Sequence, residues 1–133
     1  NPELRLAVDV TEAWSLAADK NGDEGSVLTM GAVVVRTAFE DEHPEAVADF
    51  LAEYETSIGF VKTQVAAGST LVEKHGIMPK AAVAAKAIPN CNLVYIDGED
   101  MQPAITNMLD VLFASNPQSI GGALPDEGFY HIG

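Results

Sequence analysis

Residues 30–54 have the sequence MGAVVVRTAFEDEHPEAVADFLAEY, and two patterns lie side by side in it. The stretch GAVVV at 31–35 is a β-branched run with no polar side chain, which is typical of a strand buried on both faces. His43-Pro44 then opens a helical pattern, with proline at a favoured first helical position. A strand of the buried type expects parallel neighbours, and helices cover the faces of a parallel sheet. The stretch therefore predicts an α/β fold.

The long helix after Pro44 is the clearest predicted element. Its apolar residues recur at spacings of three and four, so they share one face. Acidic side chains occupy the other side and the first turns, where the helix dipole favours negative charge. We predict about six turns with one face on the core. The residues of that face are Val47, Phe50, Leu51, Tyr54, Ile58, Val61 and Val65.

The remaining predicted elements are short. The predicted strands are 4–10 and 92–96. The predicted helices are 12–18, 80–86 and 103–114. A predicted break at 67–68 precedes a further short helix through Leu71 and Val72. Thr11 is the predicted N-cap of the first helix. Three short strands make a thin sheet for this many helices. We therefore predict that residues missing from this chain, or a second copy in a homodimer, complete the sheet.

Composition excludes several classes of protein. The chain has 133 residues, enough for one domain with its own core. Seven Lys and Arg stand against twenty Asp and Glu, for a net charge of -13, so neither nucleic acid nor an anionic membrane surface is an expected partner. No apolar run approaches the roughly 20 residues that cross a bilayer, and no signal-peptide pattern is present. Because the chain opens Asn1-Pro2 without an initiator Met, we expect a piece of a longer protein.

The candidate metal sites fail on their spacing. Residues 19–23 match the first, third and fifth positions of an EF-hand loop. The sixth position is Glu24 where glycine is needed, and the twelfth is Met30 where a bidentate glutamate is needed. The three histidines lie too far apart in sequence for a helical metal pair, and a single cysteine excludes a cysteine-based zinc site. We predict no metal and no cofactor.

Motifs for catalysis are weak. Asp97-Gly98-Glu99-Asp100 places three acids just before a helix, where they serve as capping and first-turn charges. Catalytic carboxylates are the alternative interpretation of the same residues. The sequence contains no phosphate-binding loop and no serine nucleophile elbow. We therefore predict that the protein is not an enzyme.

The order of several motifs resembles a known family. In residues 30–54 a strand ends in arginine and leads to phenylalanine, then to His-Pro-Glu and a long amphipathic helix. This resembles the substrate-binding proteins of bacterial ABC importers, in the group that includes nitrate, sulfonate, taurine and thiamine-precursor binders. NPELRLAVDVTEAW at 1–14, NCNLVYI at 90–96, GGALPD at 121–126 and the aromatic pair at 129–130 are similar to later segments of such proteins. The resemblance covers nearly the whole chain but only the C-terminal part of such a protein.

The resemblance implies a fold and a division of the chain. It implies a type II periplasmic-binding-protein-like fold with a three-layer αβα lobe, incomplete in this chain. Residues 1–27 would end the second lobe, 28–36 would form the hinge-crossing strand, and 37–133 would form the C-terminal helical, first-lobe portion. The implied function is capture of a small organic or anionic nutrient and its delivery to an ABC permease. The implied location is the periplasm or, for a lipoprotein, the extracellular cell surface, with the anchor outside this chain.

Five residues are candidates for ligand binding. If residues 28–36 cross beneath the cleft, Thr29, Met30 and Gly31 offer a hydroxyl, a thioether and a place for close backbone approach. Thr11 lies where a strand is predicted to become a helix, and helix N-termini offer amides to anions. Trp14 is a candidate wall for an organic ligand. Each has a structural alternative, which is capping for Thr11 and core packing for Trp14 and Met30.

Two other classes of function stay open beside solute binding. One is a small α/β enzyme that uses Asp97, Glu99 or His75. The other is an acidic interaction domain without a solute cleft, whose partner would be basic. An enzyme needs paired titratable groups in a cleft, and an interaction domain needs no cleft at all.

Overall fold

The protein was analysed as a computed structural model, which describes residues 5, 7–20, 22 and 26–132. In this part of the chain 67% of the residues are helical. The α-helices are α1 (Val10–Lys20), α2 (Thr37–Glu42), α3 (Pro44–Thr63), α4 (Val65–Lys74), α5 (Ala81–Ala87) and α6 (Gly98–Ser115). Short 3-10 helices follow at Ile88–Asn90, Pro117–Ile120 and Glu127–Phe129.

The predicted three-layer α/β fold is wrong for the described residues, which contain no strand and no sheet. The periplasmic-binding-protein-like αβα lobe is therefore absent from them. Residues 26–36 run without helix, turn or bend, but the backbone of 27–35 makes no hydrogen bond. An extended segment becomes a strand only when its donors and acceptors pair with a neighbour. The run at 31–35 has the composition of a strand without the partner that would make it one.

The other two predicted strands also fail. Residues 92–96 form neither a helix nor a strand. Of the predicted strand at 4–10, residues 5 and 7–9 form no strand, and Val10 already belongs to α1. Residues 1–4 and 6 lie outside the described residues.

The chain divides into two compact units. Unit 1 takes in Asn1–Val33 and Ile96–Gly133, and unit 2 takes in Val34–Tyr95. Helices α1 and α6 belong to unit 1, and α2 to α5 belong to unit 2. The division into 1–27, 28–36 and 37–133 that the sequence suggests stays a prediction.

In unit 2 the helices pack on one another through small residues. Helix α3 begins at Pro44, as predicted, and ends at Thr63. After the single residue Gln64, α4 begins at Val65. The predicted break at 67–68 is wrong, because Gly68 is a buried residue inside α4. A Cβ at Gly68 would stand 3.4 Å from the Cα of Val61, an ordinary van der Waals contact, so this position of α4 lies directly against α3. Ala84 of α5 is 1% exposed, on the helix that packs against α4.

The predicted apolar face of α3 is confirmed in part. Val47 is buried, and the aliphatic residues that follow it on the same stripe are half-buried. The prediction that Phe50 and Tyr54 are buried is wrong, since they are 49% and 38% exposed. The two rings stack on each other with their centroids 5.6 Å apart, and Tyr95 meets Tyr54 edge-on at 6.2 Å. These rings cover one another at the margin of the helix instead of entering a core.

Few hydrophobic side chains in the described part of the chain are buried. Only Ala18, Val47 and Ala84 meet that description, whereas Met30 and Val34 are each 82% exposed.

Candidate functional site

A cleft of about 280 Å³ lies in unit 1, between the segment at Val27 and helix α6. Its lining consists of Val27, Ile96, Asp100, Pro103, Ala104 and Asn107. The hydroxyl of Thr29 donates a hydrogen bond of 3.2 Å to the carbonyl of Ala104. This part-buried bond ties residues next to the cleft wall to the middle of α6.

One face of α6 forms most of the cleft. Asp100, Pro103, Ala104 and Asn107 follow at intervals of three, one and three residues, which places them on the same side of a helix. Pro103 lies inside the helix and has no N–H, so the carbonyl of Glu99 lacks its usual partner one turn later. The face therefore combines apolar carbon surface with polar groups that accept hydrogen bonds.

Helix α6 begins where the backbone turns sharply. Asp97 is the extended N-cap residue, and Gly98 follows with a φ of 53°, in the left-handed region that favours glycine. Glu99 and Asp100 lie in the first turn, where the helix dipole stabilises negative charge. Glu99 and Asp100 are thus first-turn charges as predicted, whereas Asp97 makes no side-chain capping hydrogen bond. Asp100 in addition lines the cleft.

The chemistry of the lining suits a small solute. Four residues present carbon surface, while Asp100 brings a carboxylate and Asn107 an amide. The volume lies just below the roughly 300–1,000 Å³ of clefts that hold drug-sized molecules. Among the described residues of the lining, Asp100 is the one that is ionisable. The cleft is open to solvent, since Val27 and Ile96 in its lining are 43% and 41% exposed, and it presents apolar surface beside one carboxylate and one amide.

Charge is distributed unevenly between the two units. Unit 1 contains twelve Asp and Glu and two Lys and Arg, whereas unit 2 contains eight and five. The cleft therefore lies in the strongly acidic unit. A surface of one sign attracts ligands of the opposite sign and repels those of the same sign, so the cleft favours cationic solutes over anions.

The single tryptophan lies close to this cleft. The indole N–H of Trp14 donates a hydrogen bond of 3.2 Å to the Oγ of Ser26, which is buried and precedes the cleft residue Val27. Helix α1 is in this way tied to the segment that forms one cleft wall. The fluorescence of Trp14 is therefore a natural reporter of changes at that wall.

The predicted ligand residues lie in different surroundings. Thr29 is next to the cleft through its bond to Ala104, and Trp14 is linked to its wall through Ser26. Met30 is largely exposed, and a Cβ added at Gly31 would have nothing within 4 Å, so no close approach requires that glycine. As a ligand-binding set these residues stay a prediction.

Thr11 lies in the first turn of α1 and is exposed. The side chain that caps α1 is that of Asp9, which accepts hydrogen bonds from the backbone N–H groups of Thr11 at 3.0 Å and Glu12 at 3.2 Å. The predicted N-cap was therefore two residues too late. A carboxylate at this position makes the N-terminus of α1 less attractive to anions.

Sequence reasoning missed most of the cleft. It weighed Asp100 only as a capping or catalytic acid, and it did not consider Asn107 or Pro103. A signal was present, because positions 100, 103, 104 and 107 repeat the spacing of one helix face with acid, proline, alanine and amide in turn. Val27 and Ile96 could not be assigned to the same site, because their approach to α6 is a tertiary contact.

The chain matches no family model, no curated protein and no solved structure. Among the described residues, no group of three or more His, Cys, Asp or Glu is arranged to hold a metal ion. Within the same part of the chain, no helix is long and apolar enough to cross a membrane. Four residues of the EF-hand-like stretch 19–30 lie outside the described residues, namely Asn21, Asp23, Glu24 and Gly25.

Proposed function

We propose that the chain is a solute-binding protein that holds a small organic solute in the cleft of unit 1. The observation that carries this proposal is the lining of the cleft, in which four apolar residues surround the carboxylate of Asp100 and the amide of Asn107. Acid–base catalysis needs a second titratable group within reach of the first. The lining contains one ionisable side chain among the residues that the structure describes, which favours binding over catalysis.

We further propose that the chain is the C-terminal portion of the solute-binding component of a bacterial ABC importer, which delivers its ligand to a membrane permease. The support for this step is the order and spacing of the motifs at 1–14, 30–54, 90–96 and 121–126. The α/β fold that accompanied the resemblance is not part of this proposal. A location in the periplasm or at the cell surface is part of this second proposal and rests on the same motifs.

The charge of unit 1 narrows the class of solute. The carboxylate of Asp100 pairs with an ammonium group or accepts a hydrogen bond from a hydroxyl, and it repels a carboxylate, sulfonate or nitrate. The helix dipole at the start of α6 acts in the opposite sense, but it amounts to about half a positive charge. Three acids in the same stretch outweigh it. The preferred solute is a small organic amine.

Three probes with one apolar body test this proposal: phenethylamine, 2-phenylethanol and phenylacetate. Binding is measured by Trp14 fluorescence and by calorimetry. We expect the amine to bind about threefold to fivefold more tightly than the alcohol, because an exposed ion pair contributes up to about 1 kcal/mol. The acid should bind most weakly.

Matched variants locate the effect. Asp100→Asn should abolish the preference for the amine, whereas Asp110→Asn, an exposed acid on the same helix outside the cleft, should leave it intact. Equal affinity for the three probes would overturn the amine preference but not solute binding. If neither these probes nor a wider panel of amines, alcohols and acids binds saturably, solute binding itself is overturned.

An interaction domain is the second candidate function. It is favoured by the exposure of large apolar side chains in both units, among them Met30, Val34 and Ile77. The two candidates differ in their ligand. An interaction domain binds a macromolecule and leaves the cleft of unit 1 empty, whereas a solute-binding protein fills it.

A further inference from the structure

Residues 30–35 combine three properties that rarely occur together in a protein surface. They follow one another without helix, turn or bend, and none of their backbone groups makes a hydrogen bond within the described chain. Val33, Val34 and Val35 are 49%, 82% and 40% exposed. β-Branched residues in an extended chain with unpaired amides and carbonyls form a template on which another strand can pair.

Both ends of this segment are held. On one side the hydroxyl of Thr29 is bonded to the carbonyl of Ala104. On the other side the carbonyl of Arg36 accepts hydrogen bonds from the amides of Phe39 at 2.8 Å and Glu40 at 3.1 Å, at the start of α2. The first bond lies within unit 1 and the second within unit 2, so each end of the segment is anchored in its own unit.

We infer that residues 30–35 pair antiparallel with the same residues of a second copy of this chain. The unpaired backbone decides the kind of partner, because another extended chain supplies alternating donors and acceptors at the required spacing. Antiparallel self-pairing about a two-fold axis brings a segment against itself, so one sequence satisfies both sides. In this register Val33 faces Ala32, Val34 faces Gly31 and Val35 faces Met30, so every cross-strand neighbour is uncharged.

Charge supports this choice of segment. Residues 27–35 contain no charged side chain, in a chain whose net charge is -13. Pairing through this stretch therefore brings no like charges directly opposite one another. The remaining repulsion between two acidic copies is long-range and is screened by salt. The association should strengthen as ionic strength rises, whereas an interface made of ion pairs would weaken. This inference is independent of the solute cleft.

Sedimentation equilibrium from about 1 to 200 μM tests the proposal, with a dimer at twice the 14.0 kDa of one chain as the expected species at the upper end. Val34→Lys should weaken dimerisation at least tenfold, because it places a cation on the paired strands. Ile77→Lys is the matched control, since Ile77 is 75% exposed in another part of unit 2 and its replacement should have no effect. Raising NaCl from 0.15 to 0.5 M should tighten the wild-type dimer.

Hydrogen exchange identifies the contact itself. The amides of residues 30–35 should become protected in the same concentration range in which the dimer forms. A monomer throughout that range would overturn the inference. So would a dimer without protection at 30–35, or equal weakening by Val34→Lys and Ile77→Lys.

Discussion

The two units hold their helices in different ways. In unit 2, α4 packs against both α3 and α5, and small buried residues such as Gly68 and Ala84 lie on the packed helices. In unit 1, polar side chains tie the helices to non-helical segments, as in Trp14 to Ser26, Thr29 to Ala104 and Thr106 to Tyr130 at 2.9 Å.

The difference explains where the cleft lies. Helices that approach through glycine, alanine and serine exclude space between them. A single hydrogen bond holds a segment at one residue only, so space can remain beside the bond. The cleft lies next to such a bond, the one between Thr29 and Ala104. Unit 2 therefore provides close helix packing, and unit 1 provides a site.

The largest expected effect concerns the close packing of unit 2. Ala84→Leu should lower the free energy of unfolding by about 2–3 kcal/mol, because a residue that is 1% exposed has no room for added methylenes. Ala82→Leu, at an exposed position of the same helix, should change it by less than about 0.5 kcal/mol. Denaturant titration measures both, and similar losses for the two variants would contradict the tight contact of α5 with α4.

The second test compares two positions on α3. Val47→Ala should cost about 2 kcal/mol, since Val47 is buried. Phe50→Ala should cost only about 1 kcal/mol, because the ring is 49% exposed and loses mainly its stacking on Tyr54. The larger side chain thus has the smaller effect. If Phe50→Ala cost 3 kcal/mol or more, the ring would have to be part of a core.

The third test removes one of the bonds on which unit 1 depends. Thr29→Val deletes the hydroxyl that donates to Ala104 and should cost about 1 kcal/mol. It should also weaken the binding of phenethylamine, because the adjacent cleft wall loses its attachment to α6. Thr56→Val, at an exposed position of α3, is the control and should affect neither stability nor binding. If Thr29→Val left the affinity for the amine unchanged, binding in the cleft would not depend on this hydrogen bond.

The smallest effect is expected from calcium. Unit 1 is strongly acidic, but residues 19–30 lack the glycine and the bidentate glutamate that an EF-hand loop requires at its sixth and twelfth positions. Calcium at millimolar concentration should therefore leave Tm unchanged. A rise in Tm that saturates with calcium and does not occur with magnesium would show that the acidity of unit 1 includes a specific cation site.

The sequence predicted helices better than strands. The start of α3 at Pro44, its length and the burial of Val47 follow from proline position and apolar spacing, and they are confirmed. The break at 67–68 was wrong because glycine was taken for a helix terminator, whereas Gly68 is a buried residue inside α4 that lies against Val61 of α3. The composition of a glycine–alanine stretch cannot distinguish a break from a close helix contact.

Local hydrogen bonding accounts for what the sequence by itself determined. A helix closes its bonds between residues four apart, so the pattern within a single segment is enough to predict α3 and the face it offers. The excess of acids in unit 1 is likewise a property of composition. The tertiary structure alone decided the rest. Residues 31–35 become a strand only if a distant segment pairs with them. Phe50 is buried only if a neighbour covers it. Val27 lines the same cleft as Asn107 only because the chain folds back on α6.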